Sequence, residues 1–131
     1  MPKHFIVFLF ALPLLLFINS TSLAQDRPDA DERLLVKFSK IELRDMNNED
    51  LEFWNFYLDN SIVVKDIPVG KEDGIPLKLD LSPDEAKDVD ILTLGLEPHN
   101  YVKRYYQLKD TNKMLMLYSI QDVKRLMTNN D

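Results

Sequence analysis

Apolar positions along this chain fall into two regimes. Phe5 to Ile18 is an apolar run broken only by Pro13, preceded by Lys3-His4 and followed by polar Asn19 to Thr21. From residue 34 onward, apolar and polar residues interleave at the periods of helices and strands. Leu34, Leu35, Val36 and Phe38 fit either period. Ser39-Lys40-Ile41-Glu42 has the spacing of a capping box and predicts a short helix over 40–46. Asn47 or Asn48 can cap a second helix over 49–59, and Glu49 and Asp50 suit its positive N-terminal end. Apolar residues 51, 53, 54, 56, 57 and 58 cover more than half of that helix, leaving Glu52, Asn55 and Asp59 as a narrow polar stripe. A surface helix carries a narrower apolar face, so this one is either sunk in the core of its own domain or covered by a partner.

The rest of the chain reads mainly as strand. Ile62-Val63-Val64 opens a β-branched strand running to about Ile67, and Pro68, Gly70, Gly74 and Pro76 punctuate the loop after it. Leu77, Leu79 and Leu81 alternate with Lys78 and Asp80 as a half-buried strand does. Ser82-Pro83-Asp84-Glu85 starts a short helix that ends near Asp88, and Ile91 to Leu96 reads as a third strand. Pro98-His99-Asn100 marks a turn. Val102 to Lys109 then alternates, with Val102, Arg104, Tyr106 and Leu108 on one face and Lys103, Tyr105 and Gln107 on the other. Asp110-Thr111-Asn112 makes a hairpin loop in which Asn112 can take the left-handed conformation. Met114 to Tyr118 is apolar throughout, which predicts a central strand covered on both faces. Ser119 caps a last helix with Ile120, Val123, Leu126 and Met127 on one side and Lys124 and Arg125 near its negative end. The pattern predicts an α+β fold, a small mainly antiparallel sheet with N-terminal helices and a C-terminal helix packed on it.

The first regime predicts an address. A basic start, an apolar run of 14 residues and Ser22-Leu23-Ala24 together make a secretory signal peptide cut after Ala24. The run is shorter than the roughly 18 residues of a spanning helix, so a membrane anchor is the weaker reading. The expected organisation is a signal peptide over 1–24, a flexible acidic tail over 25–33 and one α+β domain over 34–131. The expected destination is the periplasm or the extracellular medium, with no integral membrane segment after signal removal. The chain has no cysteine, so disulfides, thiolate metal sites and cysteine nucleophiles are excluded. Charge is uneven: residues 25–100 carry 9 Lys/Arg against 19 Asp/Glu, and residues 101–131 carry 6 against 3. An acidic chain is poorly suited to nucleic acid.

Catalytic constellations are scarce. Beyond the signal segment the only histidine is His99, in a turn, with no nucleophile-elbow motif to accompany it. One histidine and no cysteine cannot make a zinc site of ordinary type. Asp80, Asp84, Glu85, Asp88 and Asp90 cluster, but without the spacing of a calcium loop. Gly70, Gly74 and Gly95 form no phosphate-cradling loop. No cofactor is implied. The aromatic residues remain, on the second helix and the hairpin, and tyrosine and tryptophan are common interface anchors that also stack on sugars. Trp54 and Tyr57 on the helix, and Lys103, Tyr105 and Gln107 on the hairpin, are the candidate binding residues.

The run Phe53-Trp54-Asn55-Phe56-Tyr57-Leu58-Asp59-Asn60-Ser61, with the Leu23-Ala24-Gln25 junction upstream, resembles small uncharacterised exported proteins of Bacteroidota-type bacteria. That resemblance implies a cell-envelope setting and carries no functional residue. The expected function is a small non-enzymatic interaction module, accessory to a cell-envelope complex through an envelope protein partner, with the oligomeric state open. The alternatives are a domain that binds a sugar or lipid fragment through the tyrosine-rich hairpin, and a small carboxylate hydrolase.

Overall fold

The computed structural model describes residues 26–130. The expected signal peptide and cleavage site, and Asp131, lie outside the described residues. Among the described residues, four α-helices and a four-stranded mixed sheet follow one another as α1 (Lys40–Asp45), α2 (Asn48–Asn60), β1 (Ile62–Asp66), β2 (Lys78–Leu79), α3 (Pro83–Lys87), β3 (Arg104–Leu108), β4 (Lys113–Leu117) and α4 (Ile120–Asn129). This is a small α+β fold with a mainly antiparallel sheet. The strand order is β1-β4-β3-β2: β4 pairs antiparallel with β1 and with β3, and β2 pairs parallel with β3.

Local chemistry sets the helix starts. Ser39, Ser82 and Ser119 each close a capping box, with Glu42, Glu85 and Asp122 returning to the cap backbone. Asn47 caps α2 by accepting from the Asp50 N–H. These side chains satisfy amide donors that the first helical turn leaves orphaned. Leu34 to Phe38, ambiguous in sequence, opens instead with a 3₁₀ turn over Glu32–Val36 that buries Leu34 and leaves Leu35 and Val36 exposed.

The core lies on one face of the sheet. The register puts Ile62, Leu117 and Arg104 in one row and Val64, Leu115 and Tyr106 in the next, all on the same face. Leu115, Leu117, Tyr106 and Leu108 join Leu34, Leu43, Leu51, Phe53, Tyr57, Leu58, Ala86 and Val123 in one buried cluster. Every α-helix thus contributes to that face. α2 is sunk in the core, with Leu51, Phe53, Tyr57 and Leu58 buried and Trp54 packed against them. β4 is central, as its unbroken apolar run predicts, and Met114 to Leu117 are buried.

Several local expectations change. Ile91 to Leu96 is a turn rather than a strand. The Asp90 carboxylate accepts from the Leu92 N–H and the Thr93 hydroxyl, and Gly95 at φ +68° lets the Leu96 N–H return to the Ile91 carbonyl. Local acceptors and a left-handed glycine here outweigh β propensity. The left-handed residue of the hairpin is Asp110, at φ 51°, rather than Asn112. α4 runs on to Asn129, which leaves Lys124 and Arg125 in mid-helix, away from its negative end. β2 is only two residues long and pairs in parallel, a partner choice that alternation alone cannot encode.

Residues 26–31 carry no regular structure, but they dock on the polar stripe of α2. Asn55 accepts from the Asp31 N–H and donates to the Asp29 carbonyl. Arg33 bridges Asp31 and Asp59 at 2.6 and 2.7 Å. Arg27 donates to the Leu43 and Met46 carbonyls at the end of α1. Within the polar stripe, Asn55 thus seats the chain that precedes α2, while Glu52 and Asp59 stay exposed.

Candidate interaction surface

The five candidate binding residues separate into two environments. Tyr57 is 0% exposed, in the core beneath the sheet. Its hydroxyl and the Ser61 hydroxyl are buried near one another, yet neither finds a hydrogen-bond partner of good geometry. Burial pushes the Tyr57 phenol well above its ordinary range, and the Ser61 hydroxyl offsets this only in part. Trp54 is half-buried, its ring edge-on to Phe38, Phe53 and Tyr57 at 5.4 Å each, with the Lys37 ammonium 5.6 Å away. A 13-residue helix with this many apolar residues needs such a cluster to bury them. Tyr57 is therefore a core residue, and Trp54 is held mainly by the aromatic cluster.

Tyr105 and Gln107 lie together on the sheet face away from the helical layer, and Lys103 sits just before β3 at its end. Alternation along β3 sends Tyr106 and Leu108 into the core and Tyr105 and Gln107 to the opposite face. Tyr105 is 39% exposed. Lys103 precedes the strand and sets its ammonium 5.4 Å from the Tyr118 ring, a cation–π contact that holds both side chains in place. Gln107 donates to the Thr111 carbonyl at the hairpin end.

Pairing brings in residues that no sequence window could assign. Tyr105 faces Met116, which faces Val63, and Gln107 faces Met114, which faces Lys65. Lys78 of β2 pairs with Gln107 from the other side. Val63 is 38% exposed, whereas Met114 and Met116 are each 5% exposed. Met114 and Met116 also stand outside the helix-packed cluster. The face is thus a strip of methionine, valine and tyrosine with Lys65, Lys78 and Lys103 around it. Val63, Lys65 and Lys78 went unnoticed in sequence because their neighbours on this face come from strands tens of residues away. The edges are tied by ion pairs: Lys113 with Asp66 and Lys109 with Asp80, both at 2.8 Å. The Asp80 carboxylate, by hydrogen bond and charge, holds the Lys109 ammonium above its ordinary range.

His99 is engaged in structure. Its Nδ1 accepts from the Tyr101 and Val102 amides at 3.1 Å each, and its carbonyl accepts from the Ile120 N–H at the start of α4. Among the described residues, no three His, Asp or Glu side chains stand close enough to hold a metal ion. No helix among the described residues is long and apolar enough to cross a membrane. No protein-family model matches the chain, and no curated protein or solved structure matches it either.

Proposed function

We propose that this chain is a small non-enzymatic interaction module of the cell envelope, exported by its N-terminal signal and accessory to a larger complex. The observation that carries this reading is the outer face of β3. Tyr105 is presented on a sheet face away from the helices, and Lys103, whose ammonium lies on the Tyr118 ring, sits two residues before it. A large, rigid aromatic with a polar tip beside a positioned cation is the usual composition of an interface anchor. The N-terminal run and the Ser22-Leu23-Ala24 site support export.

Site-specific photo-crosslinking in cells tests the reading. The full-length protein carries the crosslinker at position 105, or at position 52 on the exposed flank of α2 as a control, and adducts are identified by mass spectrometry. A single partner captured from position 105 and not from 52 supports the module. Equal yields at both positions, or no adduct at 105, would overturn it. The same sample reports the mature N-terminus, expected at Gln25.

A further inference from the structure

The outer sheet face carries more lysines than carboxylates in a chain whose net charge is −6. Its side chains, read across the strands, are Val63 and Lys65 of β1, Met114 and Met116 of β4, Tyr105 and Gln107 of β3, and Lys78 of β2. Lys103 and Tyr118 lie just beyond the ends of β3 and β4, with the Lys103 ammonium on the Tyr118 ring and that ring also packed against the core cluster. The carboxylate that alternation adds to this side is Asp80, just past Lys78, and it is taken up by Lys109. Asp66 and Asp80, at the ends of β1 and β2, are already paired with Lys113 and Lys109. Lys65, Lys78 and Lys103 form no ion pair among the described residues.

Resting on the reading above, we infer that this face takes an acidic segment of a partner protein. Its carboxylates meet Lys65, Lys78 and Lys103, and an apolar side chain lies along the Val63–Met116–Tyr105 row. Charge complementarity and spacing argue for this occupant. Lys65 and Lys78 sit on opposite edges of the sheet, three strand spacings or about 14 Å apart. Cations that converge on one point suit a phosphate, whereas single lysines spread around an apolar row suit carboxylates distributed along a chain. The exposed apolar area, chiefly Val63 and Tyr105, is too small to seat a bilayer.

The test keeps the crosslinker at position 105 in the full-length protein and adds Lys65→Glu, Lys78→Glu and Lys103→Glu. A control triple reverses Lys40, Lys71 and Lys87. Thermal melts of both establish folding, and a Lys→Gln triple at the same three positions serves if reversal unfolds the chain. The expected result is a loss of adduct of about tenfold or more in the face triple, with the control unchanged. The captured peptide should be rich in Asp and Glu. An undiminished adduct in the face triple overturns the inference while leaving the interaction reading intact. So does a captured peptide without acids, a self-adduct, or a lipid or glycan adduct. No adduct at position 105 in the parent protein overturns both.

Discussion

Tyr57 carries the least comfortable polar atom among the described residues. Its ring is packed in the core, but its hydroxyl and that of Ser61 have no good partner. An unsatisfied buried hydroxyl costs about 1–3 kcal/mol in lost hydration. Tyr57→Phe removes one of the two without opening a cavity. It should therefore be at least as stable as the parent in urea denaturation, and a loss of more than about 1 kcal/mol would show that the hydroxyl is bonded in solution. Trp54 behaves differently. Its contacts with Phe38, Phe53 and Tyr57 are made by the whole ring, so Trp54→Ala should cost about 3 kcal/mol, at the lower end for a large aromatic because one side stays open. A melting curve with little change would mean that the cluster closes over the gap.

Between elements, the informative residue is Asn55. Both ends of its amide hold the chain before the first helical turn, accepting from Asp31 and donating to Asp29. Asn55→Ala should release residues 26–31 at a cost of about 1–2 kcal/mol while α2 itself persists. Hydrogen exchange should then quicken at Asp31 and hardly change within α2, and faster exchange through the helix would show instead that Asn55 supports α2 itself. The caps tell how much of this was legible. Ser39, Ser82, Ser119 and Asn47 were readable because capping is a local contest between a side chain and the next three amides. Asp90 and Gly95 belong to the same local chemistry, yet the aliphatic run between them reads as strand when period alone is followed. The docking of 26–31 was illegible for another reason: Asn55 looks solvated until the chain that hydrogen-bonds it is placed. The outer face was half legible. Tyr105 and Lys103 follow from alternation, but Val63, Lys65 and Lys78 arrive through pairing set by the whole sheet.

For the whole molecule, ionisation brackets stability from both sides. At the acid end, the Asp31 carboxyl is held below its ordinary range by the Arg33 hydrogen bond. Glu42 and Glu85 are lowered by the cap amides of Ser39 and Ser82. A carboxyl lowered on folding stabilises fully above its unfolded value, about 4 for these groups, and that contribution is lost as pH falls through the folded value. At the alkaline end the sign reverses. Tyr57 is raised on folding, so its neutral form stabilises below its unfolded value, about 10, and the contribution fades as pH climbs through the folded value. Denaturation midpoints should hence hold a plateau between about pH 5 and about pH 9, fall on both sides, and lose part of each limb to a separate variant. Asp31→Asn with Glu42→Gln and Glu85→Gln should shallow the acid limb and leave the alkaline one alone. Tyr57→Phe should shallow the alkaline limb and leave the acid one alone. The alkaline effect should be the sharper of the two, because Tyr57 is buried whereas the capping glutamates are fully exposed and screened by water. A Tyr57→Phe curve that falls above about pH 10 as steeply as the parent would assign that limb to the exposed lysines and tyrosines instead.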